Sequence, residues 1–327
     1  MQPRSGTASR LSPRFIALAA VILIAGCSSQ PVASIGPDTS PTSTPSAPDA
    51  SPTSTPLASS PTPGPATLVG AGDVANCATA DDSATAALIA GIPGTVFTAG
   101  DNAYEDGTAA NFRDCYAPTW GQFLDRTLPA VGNHDYLTTD AAGYFGYFGS
   151  AAGDPSQGWY ARQVGTWRVY IINSNCNTVG GCRVGTPQEQ WLRADLAANP
   201  TACALAIWHH PRFSSGEHGN FSSMTPIWQA LYDAGAELVI NGHDHDYERF
   251  APQTPAGKAD PNGIVEIVVG TGGRGLRAVG KPIANSVVHD DKTFGVLKLT
   301  LSDGSWESTF IPVAGGTFTD TSSGTCH

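Results

Sequence analysis

The chain has 327 residues, 41% of them hydrophobic, and a formal net charge of -11 at pH 7. This acidic balance argues against binding to a nucleic-acid backbone, because such binding draws on clustered lysine and arginine. The stretch from residue 67 to 327 is long enough to bury one ample core without a second domain. No feature of the sequence indicates a protein partner.

The N-terminus has the order of a secretory signal. Three arginines precede an apolar run over residues 15–24, which is too short for a stable transmembrane helix. The run closes with Ile24-Ala25-Gly26-Cys27, which resembles a bacterial lipobox, in which Cys27 would be diacylated after cleavage. We therefore predict a lipoprotein signal peptide over residues 1–27 and an exported protein anchored by lipid at the bacterial cell surface. The alternative is an ordinary signal peptide with a chance cysteine.

Residues 28–66 consist almost entirely of Ser, Thr, Pro, Ala, Asp and Gly and have no periodic apolar face. This composition predicts a disordered linker with extended, partly polyproline II conformers. A single folded domain is expected over residues 67–327.

Short apolar runs alternate with helical patterns along this domain, and the later runs follow one another directly. The predicted strands are 67–72, 95–100, 128–132, 169–173, 204–208, 238–241, 264–269, 295–301 and 306–312. Thr186-Pro187-Gln188-Glu189 has the pattern of a capping box and predicts a helix to about residue 199; a second helix is expected over 224–234. This order predicts an α/β (α+β) fold with two packed mixed sheets flanked by helices, a four-layer α-β-β-α sandwich.

Six cysteines follow Cys27, an even number that indicates disulfides in an exported protein. Cys176 and Cys182 flank one short glycine-containing loop and are predicted to pair with each other. The pairing of the others stays open. Zinc binding by cysteines is not expected, because no Cys-x-x-Cys occurs.

Five segments at or near strand ends contain residues typical of metal ligands. They are Ala71-Gly72-Asp73, Gly100-Asp101-Asn102-Ala103-Tyr104, Gly132-Asn133-His134-Asp135, Trp208-His209-His210-Pro211 and Gly242-His243-Asp244-His245. In open α/β sheets such strand ends meet at one site. Carboxylate and phenolate oxygens alongside imidazole nitrogens favour Fe, Zn or Mn over Ca or Mg. Each motif alone would more often be a turn or a helix cap, but five together in order predict a site for two metal ions.

The order and content of these segments resemble the purple acid phosphatase branch of the calcineurin-like metallophosphoesterases. Tyr104 in the second segment separates this branch from the wider superfamily, and residues 242–249 resemble its closing motif. The resemblance covers about residue 68 to the C-terminus and implies the same four-layer fold. One departure is Asp135, where the branch more often has Glu. Larger members also have an N-terminal β-sandwich domain, whereas here the catalytic strands follow the linker, as in the short, single-domain form.

Carried over by position, the resemblance implies that two metal ions share Asp101 as a bridge. The first ion, expected to be Fe(III), would be bound by Asp73, Asp101, Tyr104 and His245. The second, Fe(II), Zn or Mn, would be bound by Asp101, Asn133, His209 and His243. Only the His-x-Pro spacing of the family selects His209 over His210 as the ligand.

His134 and His218 are the candidate catalytic residues, because imidazole can hold or release a proton near neutral pH. They would protonate the leaving alkoxide or stabilise the phosphoryl group. His218 lies nine positions after His209, the spacing of a substrate-side histidine in the family; the alternative is a solvated loop residue.

The resemblance implies hydrolysis of phosphomonoesters by a metal-bound hydroxide, with a small phosphate ester as substrate. A phosphodiesterase or nucleotidase with the same metals is the nearest alternative. A hypothesis of another class is a catalytically inert, metal-containing binding module at the cell surface.

Overall fold

The computed structural model describes residues 64–200 and 203–327. The predicted signal peptide, the lipidation site Cys27 and residues 28–63 of the predicted linker lie outside the described residues. Among the described residues, no helix combines the length and the apolar character needed to cross a membrane.

Thirteen strands and five α-helices make up the regular structure of the described residues. The strands are β1 Ala66–Ala71, β2 Thr95–Ala99, β3 Thr127–Ala130, β4 Tyr160–Val164, β5 Trp167–Ile171, β6 Ala204–Ile207, β7 Leu238–Asn241, β8 Tyr247–Phe250, β9 Val265–Val269, β10 Ser286–Asp290, β11 Gly295–Ser302, β12 Ser305–Pro312 and β13 Thr321–Thr325. The helices are α1 Asp81–Ala90, α2 Ala109–Asn111, α3 Ala142–Phe148, α4 Pro187–Ala198 and α5 Thr225–Asp233. A π-helical turn covers Phe112–Tyr116, and 3-10 turns cover Trp120–Arg126, Asp135–Leu137, Thr139–Ala141, Gly149–Ala152 and Ser222–Met224.

Both sheets combine parallel and antiparallel strands. The first has the order β13-β12-β11-β1-β2-β3, with β1, β2 and β3 parallel and the other neighbours antiparallel. The second has the order β10-β8-β9-β7-β6-β5-β4, with β5, β6, β7 and β9 parallel. Each sheet therefore has a run of parallel strands whose carboxyl ends lie at one edge, the usual position of a ligand site in such sheets.

The hydrophobic core lies between the two sheets and extends under the helices. One buried cluster joins side chains of the first sheet, such as Phe97 and Leu299, with side chains of the second, such as Ile207 and Ile240. A second cluster packs α4 and α5 against the second sheet, with Trp228 as one of its largest members. On the first sheet, α1 packs against β11. The predicted fold of two mixed sheets flanked by helices is confirmed.

The predicted helix after Thr186 exists as α4, but the predicted capping box is wrong. Thr186 Oγ1 donates to the carbonyl of Arg183 at 2.7 Å instead of accepting a bond from the first turn, and Glu189 Oε2 accepts from Gly185 N at 2.9 Å. Pro187 at the first helical position still starts the helix, because its missing N–H needs no partner there.

Three disulfides connect the described residues: Cys77–Cys115, Cys176–Cys182 and Cys203–Cys326. The predicted Cys176–Cys182 pair is confirmed. The longest link joins Cys203, just before β6, to Cys326, just after β13, over 123 residues.

Candidate metal centre

Residues at the carboxyl ends of parallel strands from both sheets come together at one edge of the sandwich. Asp73 follows β1, Asp101 follows β2, Asn133 follows β3, His209 follows β6 and His243 follows β7. Three of them, Asp73 (φ 59°), Asp101 (φ 50°) and His243 (φ 71°), have a left-handed backbone, which turns the chain sharply at the strand end.

The hydroxyl of Tyr104 is the centre of one group of ligand candidates. It donates to Asp73 Oδ1 at 2.8 Å or to Asp101 Oδ2 at 3.0 Å, and it lies 3.3 Å from His245 Nε2. His245 Nε2 is also 3.3 Å from Asp73 Oδ1. We call Asp73, Asp101, Tyr104 and His245 the Tyr104 half; it matches the first predicted ligand set.

The Nε2 atom of His209 is the centre of the second group. It lies 3.2 Å from Asp101 Oδ2, 3.0 Å from Asn133 Oδ1 and 3.2 Å from His243 Nδ1. We call Asp101, Asn133, His209 and His243 the His209 half. The structure thus brings all seven predicted ligand residues together, and Asp101 Oδ2 contacts the centres of both halves.

The cluster contains two buried carboxylates close together, an arrangement that favours the binding of a cation. Asp73 and Asp101 are 0% and 1% exposed, and both contact the same phenol. Donor atoms of Asp73, Asp101 and His209 all lie within 4.8 Å of one another, as in a metal-binding group. Oxygen and imidazole donors at this density fit a transition-metal site.

Charge pairing inside the cluster shifts the pKa values of its members. Burial alone would lower the pKa of His209, but the adjacent Asp101 carboxylate more than offsets burial and raises it to about 9. Burial would raise the pKa of Asp101, whereas His209 and His134 hold it below its usual range. Burial and then the two carboxylates raise the pKa of the Tyr104 phenol, so a strongly charged cation is needed to deprotonate it.

Backbone carbonyls fix the orientation of two imidazoles. His209 Nδ1 lies 2.9 Å from the carbonyl of Ala99, and His245 Nδ1 lies 2.8 Å from that of Gly275. A carbonyl only accepts, so Nδ1 carries the proton in both rings and the lone pair of the neutral ring is on Nε2, which faces the cluster.

Two glycines allow this close approach. A Cβ on Gly100, which has φ +86°, would lie 2.5 Å from His209 Nδ1. A Cβ on Gly132 would overlap Asp101 Oδ1. Neither position accepts a side chain without displacing a ligand candidate.

The two adjacent histidines have different surroundings. His210 Nδ1 lies 2.8 Å from Ser174 Oγ, and its ring stacks on Phe221 with centroids 4.7 Å apart. Burial and the neighbouring His209 lower the pKa of His210 to about 3. His210 therefore packs beside the cluster without contributing a donor atom to it, and His209 is the residue whose Nε2 reaches Asp101.

His134 lies beside the Tyr104 half. Its Nδ1 is 2.6 Å from the carbonyl of Glu105, and its Nε2 is 4.0 Å from Asp101 Oδ2. The ring contacts that of Tyr104 at a centroid distance of 4.6 Å, and its backbone N–H donates to Asp101 Oδ1 at 2.8 Å.

Asp135, the residue that departs from the family pattern, is buried beneath His134. It accepts from Gly132 N at 2.9 Å and from Asn102 Nδ2 at 2.9 Å. Burial and then the Asp101 charge raise the pKa of Asp135 to about 7. Asp135 thus connects the loops after β2 and β3, so it orients ligand candidates without contacting the cluster centre itself.

His218 lies beside the His209 half. Its ring packs against that of His243 in a tilted arrangement with centroids 4.3 Å apart, and its Nε2 is 2.7 Å from Arg277 Nη1. The structure therefore places both predicted catalytic histidines next to the cluster, on opposite halves.

Three buried carboxylates hold the loop that carries His218. Glu266 accepts from Arg212 N at 2.8 Å and from Phe213 N at 3.0 Å. Asp244 accepts from His218 N at 2.8 Å and also binds Ser214 Oγ. Glu248 accepts from Ser215 N at 2.7 Å. These residues come from the β7–β8 turn, β8 and β9, so the loop is fixed to the second sheet.

Arg212 lies partly buried in the same loop. Its Nη2 donates to the carbonyl of Pro255 at 3.1 Å, and its guanidinium lies over the ring of Phe213.

Sequence reasoning missed two other arginines near the cluster, Arg274 and Arg277. They lie in a glycine-rich loop after β9, far along the chain from the motifs, and no motif marked them.

Comparison with known proteins agrees with this fold. The sequence model of the calcineurin-like phosphoesterase family matches residues 66–247. The chain belongs to this family.

Several relatives are purple acid phosphatases by name. The chain is 26% identical over 256 residues to "Probable inactive purple acid phosphatase 1" of Arabidopsis thaliana, a match that covers 64% of this chain and 39% of that protein. It is 32% identical over 191 residues to "Acid phosphatase A" of Cryphonectria parasitica, covering 50% and 38%. The chain thus spans less than half the length of these curated relatives.

A solved purple acid phosphatase, PPD1 from yellow lupin (Lupinus luteus) seeds, has a similar fold. The TM-score is 0.64 at 18% identity, and the match covers 79% of this chain and 53% of the lupin chain. The prediction of a purple acid phosphatase-like metallophosphoesterase is confirmed. The family and the names of these relatives support a phosphoesterase, while two Arabidopsis relatives are named as probable inactive phosphatases.

Proposed function

We propose that this protein hydrolyses phosphomonoesters at a centre of two metal ions. The observation that carries the proposal is the position of Asp101 Oδ2, 3.0 Å from the Tyr104 hydroxyl and 3.2 Å from His209 Nε2. One carboxylate can therefore serve two adjacent sites, which suits a pair of ions about 3.5–4 Å apart, as in two-metal hydrolases.

The proposed ligands are Asp73, Asp101, Tyr104 and His245 for Fe(III), and Asp101, Asn133, His209 and His243 for Fe(II), Zn or Mn. Bound there, two cations supply a water of lowered pKa and neutralise the phosphoryl oxygens. The buried protein groups supply the orientation: backbone carbonyls fix the rings of His209 and His245, and Asp135 fixes the loop after β3.

The two candidate catalytic histidines receive different roles. Because a guanidinium only donates, His218 Nε2 accepts from Arg277 and carries no proton there. His134 has Nδ1–H directed to a carbonyl and Nε2 toward the cluster, so its imidazolium form can donate a proton from Nε2. We assign proton donation to the leaving alkoxide to His134 and contact with the phosphoryl group to His218.

The test is hydrolysis by the metal-loaded protein, with p-nitrophenyl phosphate, its bis ester and nucleotides compared. Preference for the monoester supports the proposal. Preference for the bis ester or nucleotides would replace it with a phosphodiesterase or nucleotidase. His134→Gln should slow esters with poor leaving groups more than p-nitrophenyl phosphate, because only poor leaving groups need the proton. The matched control is His289→Gln, on the edge strand β10.

The second candidate is an inert, metal-containing binding module, which the name of the Arabidopsis relative favours. A protein that binds two metals and hydrolyses none of these esters would establish it. The positions of His134 and His218 beside the cluster argue against an inert binding module.

We also propose export and lipid attachment through Cys27, with residues 1–27 as signal, 28–66 as linker and 67–327 as catalytic domain. Three disulfides in the described residues support an oxidising compartment. Labelling of cells with radioactive palmitate should mark the protein, and Cys27→Ser should lose the label and leave the membrane fraction. Label retained in Cys27→Ser would contradict this assignment.

A further inference from the structure

The loop between β9 and β10 is attached to the candidate metal centre through its backbone. Arg274 N donates to the carbonyl of Asp73 at 2.8 Å, and Arg277 N donates to the carbonyl of His245 at 3.0 Å. Both acceptors belong to the Tyr104 half. The two arginine side chains therefore start at fixed points beside the cluster.

The side chain of Arg274 lies on the Tyr104 side of the centre. Its guanidinium carbon is 4.8 Å from the centroid of the Tyr104 ring. Its Nη2 and Nη1 atoms contact the two oxygens of Glu105 at 3.0 and 2.5 Å, respectively. This fork is the geometry in which a guanidinium binds a carboxylate or a phosphate.

The side chain of Arg277 lies on the His218 side. Its Nη1 contacts His218 Nε2 at 2.7 Å and Glu217 Oε2 at 3.3 Å. The ring of His218 in turn packs against that of His243 of the His209 half, with centroids 4.3 Å apart. One guanidinium thus borders each half of the centre.

The carboxylate partners of these arginines are easy to replace. The side chains of Glu105 and Glu217 are 55% and 62% exposed, and exposed ion pairs contribute little to stability. The guanidiniums themselves are reachable, at 27% and 34% side-chain exposure. An anion held at the same time by the metal centre gains effective concentration and can displace either glutamate.

We propose that Arg274 and Arg277, the arginine rim, bind a second anionic group of the substrate while the metal centre holds the reacting phosphoryl group. The preferred substrates are then phosphate esters whose leaving group carries a carboxylate or another phosphate. Glu105 and Glu217 occupy the rim until such a substrate replaces them. This inference rests on the proposed phosphomonoesterase function and names its substrate class.

Two non-hydrolysable ligands that differ by one charge test the rim directly. Phenylphosphonate and 4-phosphonobenzoate are titrated into the metal-loaded protein by calorimetry, and the ratio of their dissociation constants is compared. We expect phosphonobenzoate to bind about 10-fold more tightly, the effect of one charge-assisted hydrogen bond. Phenyl phosphate and carboxyphenyl phosphate provide the same comparison for kcat/KM.

Arginine variants should remove this preference. In Arg274→Gln or Arg277→Gln, the ratio should fall toward one, and the variant with the larger fall identifies the side that binds the second anion. Arg274→Lys keeps the charge but loses the fork and should retain part of the preference. Glu105→Gln and Glu217→Gln should raise the preference, since each frees one guanidinium. Arg113→Gln is the matched control, because Arg113 is also an exposed arginine in an ion pair, with Asp114.

The outcomes separate the two proposals. Two results would overturn only the proposed role of the arginine rim. One is hydrolysis of phenyl phosphate with no preference for the carboxylated ligands; the other is a preference that survives in both arginine variants. A metal-loaded protein that neither binds phenylphosphonate nor hydrolyses phenyl phosphate overturns the proposed function, and the rim with it. Because the readout is a ratio, a general loss of binding in a poorly folded variant does not imitate the expected result.

Discussion

The Tyr104 half of the candidate metal centre presents mainly oxygen donors, whereas the His209 half pairs oxygen with two imidazoles. Three of four donors in the first are a phenol and two carboxylates, while the second has one carboxylate, one amide and two imidazoles. Hard oxygens favour a trivalent ion, and imidazole favours Zn or divalent iron. We therefore expect the two halves to prefer different metals, because they present different side chains.

The largest effect is expected where the two halves meet. Asp101→Ala removes the oxygen that contacts both centres, so we expect loss of both metals and of hydrolysis by more than about 100-fold, above what removal of a supporting hydrogen bond causes. Metal content by mass spectrometry and p-nitrophenyl phosphate turnover measure it. An active Asp101→Ala protein would contradict the two-metal hypothesis.

His209→Ala should break one half only. Its Nε2 is the centre of the second group, so we expect one metal equivalent instead of two, with hydrolysis lost and a visible absorption of the Tyr104 half retained. His210→Ala is the neighbouring comparison: its Nδ1 contacts Ser174 Oγ and its ring packs on that of His243 with centroids 4.3 Å apart, so this variant should weaken metal binding less than His209→Ala does. Equal metal loss in both variants would contradict the assignment of His209, and not His210, as a ligand of the second metal.

Tyr104→Phe should affect the other half. If the phenolate binds Fe(III), the visible phenolate-to-metal absorption should vanish while the second metal stays and the protein folds. Absorption spectra and metal analysis on the same sample test this. An unchanged spectrum would refute iron binding by Tyr104.

Metal uptake should release a proton from the His209 half. Without metal, His209 has its pKa raised to about 9, so it is protonated at pH 7 and must lose that proton to bind an ion. Zinc affinity of the chelator-treated protein should therefore rise with pH until about 9 and level off above it. Calorimetry in buffers of different ionisation enthalpy should show about one proton released from this site, and proton-neutral binding at pH 7 would exclude the mechanism.

The smallest effect is expected for a residue that anchors the loop carrying His218. Glu248→Gln replaces an acceptor oxygen that binds Ser215, and it should lower the free energy of unfolding by about 1–3 kcal/mol with both metals retained. The exposed Glu307→Gln is the control for the charge change. Urea unfolding measures the difference, and a variant as stable as the control would show that the loop needs no such anchor.

Strands that end in ligand candidates were predictable, because an apolar run and a polar terminus coincide there. The run before Gly242 was predicted as 238–241, the bounds of β7. Four strands were missed: β4, β8, β10 and β13. Of these, β13 has the polar sequence TSSGT, and β8 continues a motif that was interpreted as ligands alone. The pairing of these strands depends on neighbours in the sheet, so local sequence carries little of the signal.

The cluster itself was predictable because its chemistry is concentrated in five short motifs. The residues that support it were not. Glu266 and Glu248 lie inside strands, and the arginine rim reaches the centre only because a backbone hydrogen bond joins Arg274 to Asp73, about 200 residues away along the chain. Tertiary contacts of this kind leave no local pattern.

The left-handed backbone of Asp73, Asp101 and His243 has an evolutionary consequence. Each such conformation costs about 1 kcal/mol or more in a residue other than glycine, and two buried carboxylates add mutual repulsion. In a descendant released from selection for metal binding, glycine or a neutral residue at these positions would increase the stability of the fold. We therefore expect these three side chains to be among the first to disappear when catalysis is lost, which makes their joint presence an indicator of a lineage still selected for metal binding.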